Sequence, residues 1–237
     1  MDNQNRNSEA SEQSYIVTNP NTPDSIIEAY ASLSDNVRFI LAPTNGKIIG
    51  ITSNANEEGK STVAVNLAIT LARNSSKVLL VDADVRLPVI HKKLKLRNIK
   101  GFSNFISGFE SLSDVLKRDV IPCLDVITSG LVVPNASDLL KSNNVKIFFE
   151  KIREYYDYII VDCPTIQPNK ELTLFSESID GVLISTKYNS TSVNNLKAVK
   201  ASLQDAKINI LGFVVTEKIF NKTNEHVVGD ETEIENI

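Results

Sequence analysis

One stretch of the sequence has the residue types and spacing of a phosphate-binding loop. It is segment 54–62 (NANEEGKST), which follows an apolar run and precedes a helical pattern. Backbone N–H groups of such a loop, with the helix N-terminus behind them, surround a polyphosphate. Lys60 would then reach the β- and γ-phosphates, and Ser61 would hold Mg²⁺. The strict pattern has Gly where this chain has Asn54, a residue type that tolerates positive φ better than most.

Two further segments are apolar strand patterns that end in carboxylates. Segment 78–86 (VLLVDADVR) carries Asp82 and Asp84, and segment 158–162 (YIIVD) ends at Asp162. Ligands of open α/β sheets bind outside the carboxyl ends of the strands, so we expect these acids to meet the loop. Such acids orient the water shell of Mg²⁺, and one of them could be a general base toward a hydroxyl. The alternative is that each Asp only caps the helix that follows it. Together with the loop, the pattern predicts binding of ATP and Mg²⁺.

An alternation of short apolar strands with longer amphipathic segments must position these residues. The predicted strands are 47–53, 77–82, 124–128, 158–162, 181–186 and 208–215. The predicted helices between them are 60–74, 112–117, 144–155, 171–178 and 192–204. Near-continuous apolar strands that alternate with helices predict an α/β fold of the P-loop NTPase class, with a mostly parallel central sheet and helices on both faces.

The ends of the chain differ in composition from this central part. Residues 1–24 are polar and rich in Asn and Ser, which predicts a flexible N-terminal tail. Residues 25–220 form the predicted P-loop ATPase domain. It opens with a helix over 25–42, and Ser25 with Glu28 has the form of a capping box. Residues 221–237 are acidic and predict a second flexible tail.

Composition limits the possible function classes. The 237 residues carry a net charge of −4 and a pI of about 5.3, so no basic footprint for nucleic acid is present. Cys123 and Cys163 match no zinc or redox spacing and fit a reducing compartment. No signal-peptide pattern or long apolar run is present. These features predict a cytoplasmic protein without a nucleic-acid partner.

The three motifs resemble those of a known family. Segments 59–62, 81–86 and 160–164 look like the Walker-type motifs of the BY-kinases, the bacterial tyrosine kinases of the CpsD/CapB type. Similarity continues through 101–108, 129–142 and 180–184, and it covers residues 25–218. The resemblance implies transfer of the ATP γ-phosphate to tyrosines with Mg²⁺, in the regulation of capsular and exopolysaccharide synthesis and export. It also implies activation by a membrane adaptor, which would recruit the protein to the inner face of the membrane.

The resemblance further implies roles for individual residues. Asp82 would be the base that takes the tyrosine proton, with Lys60 and Asp84 as the other catalytic residues. Mg²⁺ would be bound by Ser61, Asp84 and Asp162. A nucleotide-binding role is implied for Asn56, Glu57, Glu58, Gly59, Lys60, Ser61, Thr62, Arg86 and Thr216.

The chain departs from the family in features that concern regulation. No tyrosine lies beyond Tyr188, so the C-terminal tyrosine cluster that members autophosphorylate is absent. Ala31 and Ser34 replace two arginines of the ring-forming motif, so the motif does not predict the family's ring here. A homo-oligomer stays an open alternative. A nucleotide-dependent scaffold of the polysaccharide machinery is therefore one alternative function. A positioning ATPase of the partition and division type is the other, although Ala55 stands where those proteins carry a second lysine.

Two other groups of residues are predicted to have structural roles. The basic run that follows Arg86 is expected to be a solvated helix face, with attraction of an acidic partner segment as the alternative. Tyr155, Tyr156 and Tyr158 precede a buried strand and are predicted to be packing residues. The basic run consists of Lys92, Lys93, Lys95, Arg97 and Lys100.

Overall fold

A computed structural model describes residues 16–44, 46–132, 136–166, 171–188 and 193–216 of the chain. Its centre is a sheet whose seven strands are β1 Ile48–Ser53, β2 Val78–Asp82, β3 Lys117–Ile121, β4 Leu124–Ile127, β5 Tyr158–Asp162, β6 Gly181–Lys187 and β7 Ile210–Thr216. Their order across the sheet is β3-β4-β2-β5-β1-β6-β7. Only β3 and β4 pair antiparallel, and the other neighbours are parallel. The predicted mostly parallel sheet is confirmed.

Helices cover both faces of this sheet, as predicted. They are α1 Asp24–Leu41, α2 Lys60–Arg73, α3 Ile90–Lys93, α4 Phe102–Ile106, α5 Leu112–Val115, α6 Ala136–Leu140, α7 Asn143–Ile152 and α8 Val193–Asp205. Short 3₁₀ turns lie at Ala42–Thr44 and Glu171–Phe175. One apolar core forms against α1 and α2, and a second forms against α4, α7 and α8.

Side chains of the central strands alternate between these two cores because successive residues of a strand point to opposite faces. In β2, Leu79 and Val81 enter one core, whereas Val78 and Leu80 enter the other. The near-continuous apolar sequence of the strand is therefore a consequence of burial on both faces. This burial fixes the register that places the ends of β2 and β5 side by side.

Two predicted helices differ from the observed elements, and β3, α4 and α6 were not predicted. The edge strand β3 is unpredicted, and the predicted helix 112–117 ends at Val115, because Lys117–Ile121 pairs with β4 through a tight turn. As an edge strand, β3 is largely half-buried or exposed, so it lacks the apolar run of a central strand. The predicted helix 171–178 is only the 3₁₀ turn Glu171–Phe175.

The start of α1 also differs from the prediction. α1 begins at Asp24 after Pro23 and has no side-chain cap, so the predicted capping box at Ser25 is wrong. Pro23 supplies the non-helical conformation before the first turn, and Ser25 lies inside the helix.

Residues 16–23 were expected in the flexible tail, but part of this segment packs on the core. Ile16 and Val17 are buried, and the Val17 N–H donates to Oδ1 of Asn66 in α2 at 2.9 Å. The Arg73 guanidinium donates to the Val17 carbonyl at 3.3 Å. A polar composition predicted coil, but α2 supplies specific partners that the local sequence does not reveal. The remaining tail residues, 1–15 and 221–237, lie outside the described residues.

Among the helices of the described segments, none combines the length and the apolar character that a membrane crossing requires.

Candidate active site

The loop after β1 has a conformation that requires glycine at one position. Gly59 has φ of 83° and precedes the first turn of α2, where the Val63 N–H donates to the Gly59 carbonyl at 2.9 Å. A Cβ added at Gly59 would lie 3.0 Å from the Thr216 methyl carbon. Positive φ and close packing both disfavour any other residue here. The strand, loop and helix order of a phosphate-binding loop is therefore present.

Two hydroxyl groups from neighbouring strands hold this loop in place. Ser185 and Thr216 both donate to the main-chain carbonyl of Glu58, with Thr216 Oγ1 at 3.2 Å. The Glu58 carboxylate in turn accepts the Ala55 N–H at 3.0 Å. Thr216 was predicted to bind nucleotide, and that role stays a prediction. Its observed contact is the hydrogen bond to the loop carbonyl of Glu58. The Ser185 contact was missed, since the two residues are far apart in the sequence.

The ends of β2 and β5 bring the predicted acids together. Asp82 and Asp162 are partners in the parallel register, and both are fully buried. Lys60 Nζ lies 2.9 Å from Asp84 Oδ2 and 3.1 Å from Asp162 Oδ1. The hydroxyl of Ser61 is 3.3 Å from the same nitrogen. Lys60, Ser61 and the three acids thus form one cluster at the carboxyl edge of the sheet.

The electrostatics of the cluster follow from burial and from an excess of acids. Burial lowers the pKa of Lys60, but the charges of Asp162 and Asp84 outweigh it and leave that pKa above its ordinary value. Burial raises the pKa of Asp82 well above its usual range, and the charge of Asp162 raises it further. Burial also raises the pKa of Asp162, against the lowering effect of Lys60. One buried cation therefore faces three buried carboxylates.

The alternative that the acids cap local structure is correct in part. Asp82 Oδ2 accepts the Ile90 N–H at the start of α3 at 3.2 Å. Asp84 Oδ1 accepts the Leu87 N–H at 3.0 Å. Capping does not account for the other oxygens, because Asp82 Oδ1 and Asp162 Oδ2 are buried and have no hydrogen-bond partner in the described part of the chain. Buried acceptors without partners are rare and suggest that a ligand completes the site.

These residues fit a hydrated magnesium ion. Ser61, Asp84 and Asp162 would supply oxygen ligands only, as Mg²⁺ prefers, and the two carboxylates would carry its countercharge. In the described segments no three acidic, His or Cys side chains are arranged as a preformed metal cage. Mg²⁺ usually keeps several waters and takes one or two protein carboxylates, so such a cage is not needed.

Arg86 has a partner that the sequence did not indicate. Its Nε and Nη2 donate to the buried Glu171 carboxylate at 2.9 and 2.7 Å. Ser137 shares the same carboxylate and also accepts from Arg86 Nη2 at 3.0 Å. The guanidinium is thereby oriented beside Asp84, and its predicted contact with the nucleotide stays a prediction. Glu171 lies 85 positions from Arg86 in the chain, so no local pattern could reveal the pair.

The remaining predicted loop residues are more exposed. Asn56 and Glu57 are exposed, and Thr62 is half-buried in the first turn of α2. Glu57 adopts φ of 64°, which is unfavourable for a residue with a Cβ.

Glu57→Gly is expected to tighten MgATP binding about fivefold, because it removes a negative charge near the phosphates. It should also raise the free energy of unfolding by about 0.5–1 kcal/mol, since glycine relieves the positive φ. Titration calorimetry and denaturant melts measure the two effects. Glu57→Gln is the matched control, because it removes the charge but keeps the strained backbone. Equal affinities in all three proteins would contradict the electrostatic effect.

Comparisons with known proteins show which family the chain resembles. Residues 46–219 match the model of a family described as an AAA domain. The chain is 32% identical over 201 residues to the tyrosine-protein kinase CpsD of Streptococcus agalactiae serotype III, covering 84% of each protein. It is 30% identical to the tyrosine-protein kinase ptk of Acinetobacter johnsonii, covering 85% of this chain and 28% of that protein. It thus spans a little over a quarter of the Acinetobacter kinase.

The fold is shared with a solved structure. The chimerical protein CapA2B2 is 29% identical, with a TM-score of 0.75 over 83% of this chain and 84% of that one.

Proposed function

Because the chain belongs to the bacterial tyrosine kinases of capsule and exopolysaccharide systems, within the AAA-domain P-loop fold, we propose that it is an MgATP-dependent protein-tyrosine kinase. It would act in the regulation of polysaccharide synthesis and export. The observation that carries this proposal is the cluster of Lys60 with Asp82, Asp84 and Asp162 beside the loop that ends at Gly59.

Each residue of the cluster has a distinct part in the proposed reaction. Main-chain N–H groups of the loop and the N-terminus of α2 would bind the phosphates of ATP, with the Lys60 ammonium on the β- and γ-phosphates. Ser61, Asp84 and Asp162 would hold Mg²⁺, which when bound neutralises charge on the phosphates. Asp82 would accept the proton of the attacking tyrosine hydroxyl. Burial raises its pKa, which makes the ionised carboxylate a stronger base.

A membrane adaptor is the proposed partner, and it would recruit the chain from the cytoplasm to the inner face of the membrane. The family membership supports this, and so does the similarity to the solved chimerical protein CapA2B2. The proposal includes a homo-oligomer, with the number of subunits left undefined. Among the ring-motif positions, Ser34 of α1 is fully buried, so it offers no donor to a neighbouring subunit.

The test is co-expression of the chain with the cytoplasmic segment of its adaptor, followed by phosphotyrosine mapping by mass spectrometry. The expected result is phosphotyrosine on either chain that disappears in the Asp82→Asn variant. Binding of MgATP and adaptor without any phosphotyrosine would overturn the kinase proposal. That outcome would instead support the nucleotide-dependent scaffold, which uses the same loop without phosphate transfer. ATP-driven co-sedimentation with lipid would support the positioning ATPase.

A further inference from the structure

An exposed acidic turn lies between α7 and β5. We define the acidic turn as residues 154–157 (EYYD), in which Glu154, Tyr155 and Asp157 are exposed. Tyr155 was predicted to be a packing residue, but 63% of it is exposed at the rim of a cleft of about 490 Å³. The preceding Arg153 does not offset the acidic charge, because it pairs with Asp180 at 2.5 Å. Asp157 Oδ2 accepts the main-chain N–H of Lys77 at 2.7 Å, so the turn presents Tyr155 beside the carboxylate of Glu154 and two positions before that of Asp157.

Other tyrosines of the described segments are less available as phosphate acceptors. The hydroxyl of Tyr30 interacts with Asn66, and Tyr156 is buried and donates to Asp125 Oδ2 at 2.6 Å. Tyr158 is half-buried at the start of β5. Tyr188 is 47% exposed and follows β6. Tyr155 is therefore the most exposed tyrosine that the structure describes, and Tyr188 is its natural control.

Tyr155 and the candidate active site lie at opposite edges of the sheet. The acidic turn precedes Tyr158 at the start of β5, whereas Asp162 at the end of β5 belongs to the active-site cluster. A strand rises about 3.3 Å per residue, so β5 alone separates the two by about 13 Å. The Tyr155 hydroxyl cannot approach Asp82 of its own chain while β5 is folded. Phosphate transfer to Tyr155 would therefore require a second copy of the chain.

A basic surface borders the active site, and its positive charge is complementary to the negative charge of the acidic turn. We define the basic ridge as Lys92, Lys95 and Arg97, all exposed on α3 and the residues after it. α3 is attached to the site, since its Ile90 N–H donates to Asp82 Oδ2. None of the three side chains forms an ion pair within the described part of the chain. Lys100 differs from them because it pairs with Glu110 at 2.9 Å.

We propose that a second copy of this chain is a substrate of the kinase, and that its acidic turn docks on the basic ridge and places Tyr155 at the active site. The inference rests on the proposed kinase activity. The Tyr155 Oη would attack the γ-phosphorus of ATP as the bond from that phosphorus to the β–γ bridging oxygen breaks. ADP leaves, the phenol proton passes to Asp82, and phosphotyrosine forms at Tyr155.

The test is a transfer assay between two distinguishable full-length copies, with the cytoplasmic segment of the adaptor present. Wild-type chain is the donor, and an affinity-tagged Asp82→Asn chain is the acceptor, so phosphate on the tag-bearing copy must arrive in trans. We expect phosphotyrosine at Tyr155 of the acceptor. Incorporation should largely disappear when the acceptor also carries Tyr155→Phe and persist when it carries Tyr188→Phe. A random copolymer of glutamate and tyrosine is assayed in parallel as a general acceptor.

Charge exchange tests the docking surface. A donor with Lys92→Glu, Lys95→Glu and Arg97→Glu should modify the acceptor about tenfold more slowly, because complementary charge accelerates encounter. Its MgATP affinity should change less than the transfer rate, because the ridge lies outside the phosphate-binding loop. Glu154→Lys in the acceptor should recover part of the lost rate with this donor and slow the reaction with the wild-type donor.

Three outcomes would overturn the inference. A donor that phosphorylates the copolymer but leaves Tyr155 of the acceptor unmodified refutes this substrate while the kinase proposal stands. Phosphotyrosine confined to Tyr188 or Tyr15 refutes the choice of acceptor. A donor that modifies neither copolymer nor acceptor overturns the inference together with the kinase activity on which it rests.

Discussion

Lys60→Met is expected to reduce MgATP affinity at least 100-fold, because the variant loses the cation that would contact the β- and γ-phosphates. Hydrogen bonds from charged groups contribute about 1.5–3 kcal/mol each, and a lysine in a phosphate loop makes more than one. Equilibrium binding of a fluorescent ATP analogue measures the loss. Unchanged affinity would refute the assignment of segment 54–62 as a phosphate-binding loop.

The same substitution should also destabilise the folded chain, because Lys60 is the cation nearest to Asp84 and Asp162. Loss of one partner from a buried ion pair leaves charge uncompensated, at about 3 kcal/mol. For a chain of this length that corresponds to a decrease in Tm of about 6–12 °C.

The pH dependence of this loss has a definite sign. The pKa values of Asp82 and Asp162 are already raised in the folded state, and removal of Lys60 raises them further. The folded state of the variant therefore binds protons more readily than the unfolded chain, so its stability falls as pH rises. We expect the difference in Tm between wild type and variant to be larger at pH 8 than at pH 5. Lys60→Arg is the control, since it keeps the positive charge and should retain most of the stability.

Asp82→Asn is expected to lower phosphate transfer to tyrosine by about 10²–10⁴-fold, the usual contribution of a general base. Affinity for MgATP should stay within about threefold, because the assigned metal and phosphate ligands are intact. Single-turnover transfer to a tyrosine copolymer, together with nucleotide titration, separates the two effects. A variant with wild-type transfer rates would exclude Asp82 as the base.

The same variant should be more stable than the wild type. Burial and the neighbouring Asp162 hold the pKa of Asp82 above its unfolded value, so ionised Asp82 opposes folding. This opposition is absent below the unfolded pKa and grows as pH rises toward the folded pKa. We expect the Asp82→Asn substitution to increase stability by about 1–2 kcal/mol, or ~2–8 °C in Tm, with a larger gain at pH 8 than at pH 5.

Asp84→Asn is the matched control for this gain in stability. Asp84 pairs with Lys60 and also accepts the Leu87 N–H, so its removal should not stabilise the chain. A lower Tm for Asp82→Asn than for wild type at pH 8 would contradict the electrostatic account of the cluster.

The sequence by itself determined the elements that carry the site. The apolar run before Asn54, the loop ending in Gly59 and the helical pattern after it are local features, and each is present as a strand, loop or helix. The acids that end β2 and β5 were likewise visible as strand ends. Because parallel strands end at one edge of a sheet, local patterns were sufficient to predict that these acids meet the loop.

Only the tertiary structure decided how these groups are paired. The Arg86–Glu171 pair joins residues 85 apart, and the Ser185 contact with Glu58 spans 127 positions. Such contacts depend on the strand order and on which loops the sheet brings together, and a single sequence carries no local signal for either. Packing of part of segment 16–23 on α2 and the exposure of Tyr155 were misjudged for the same reason. Composition reports what a segment could bury, whereas the neighbouring elements decide what it does bury.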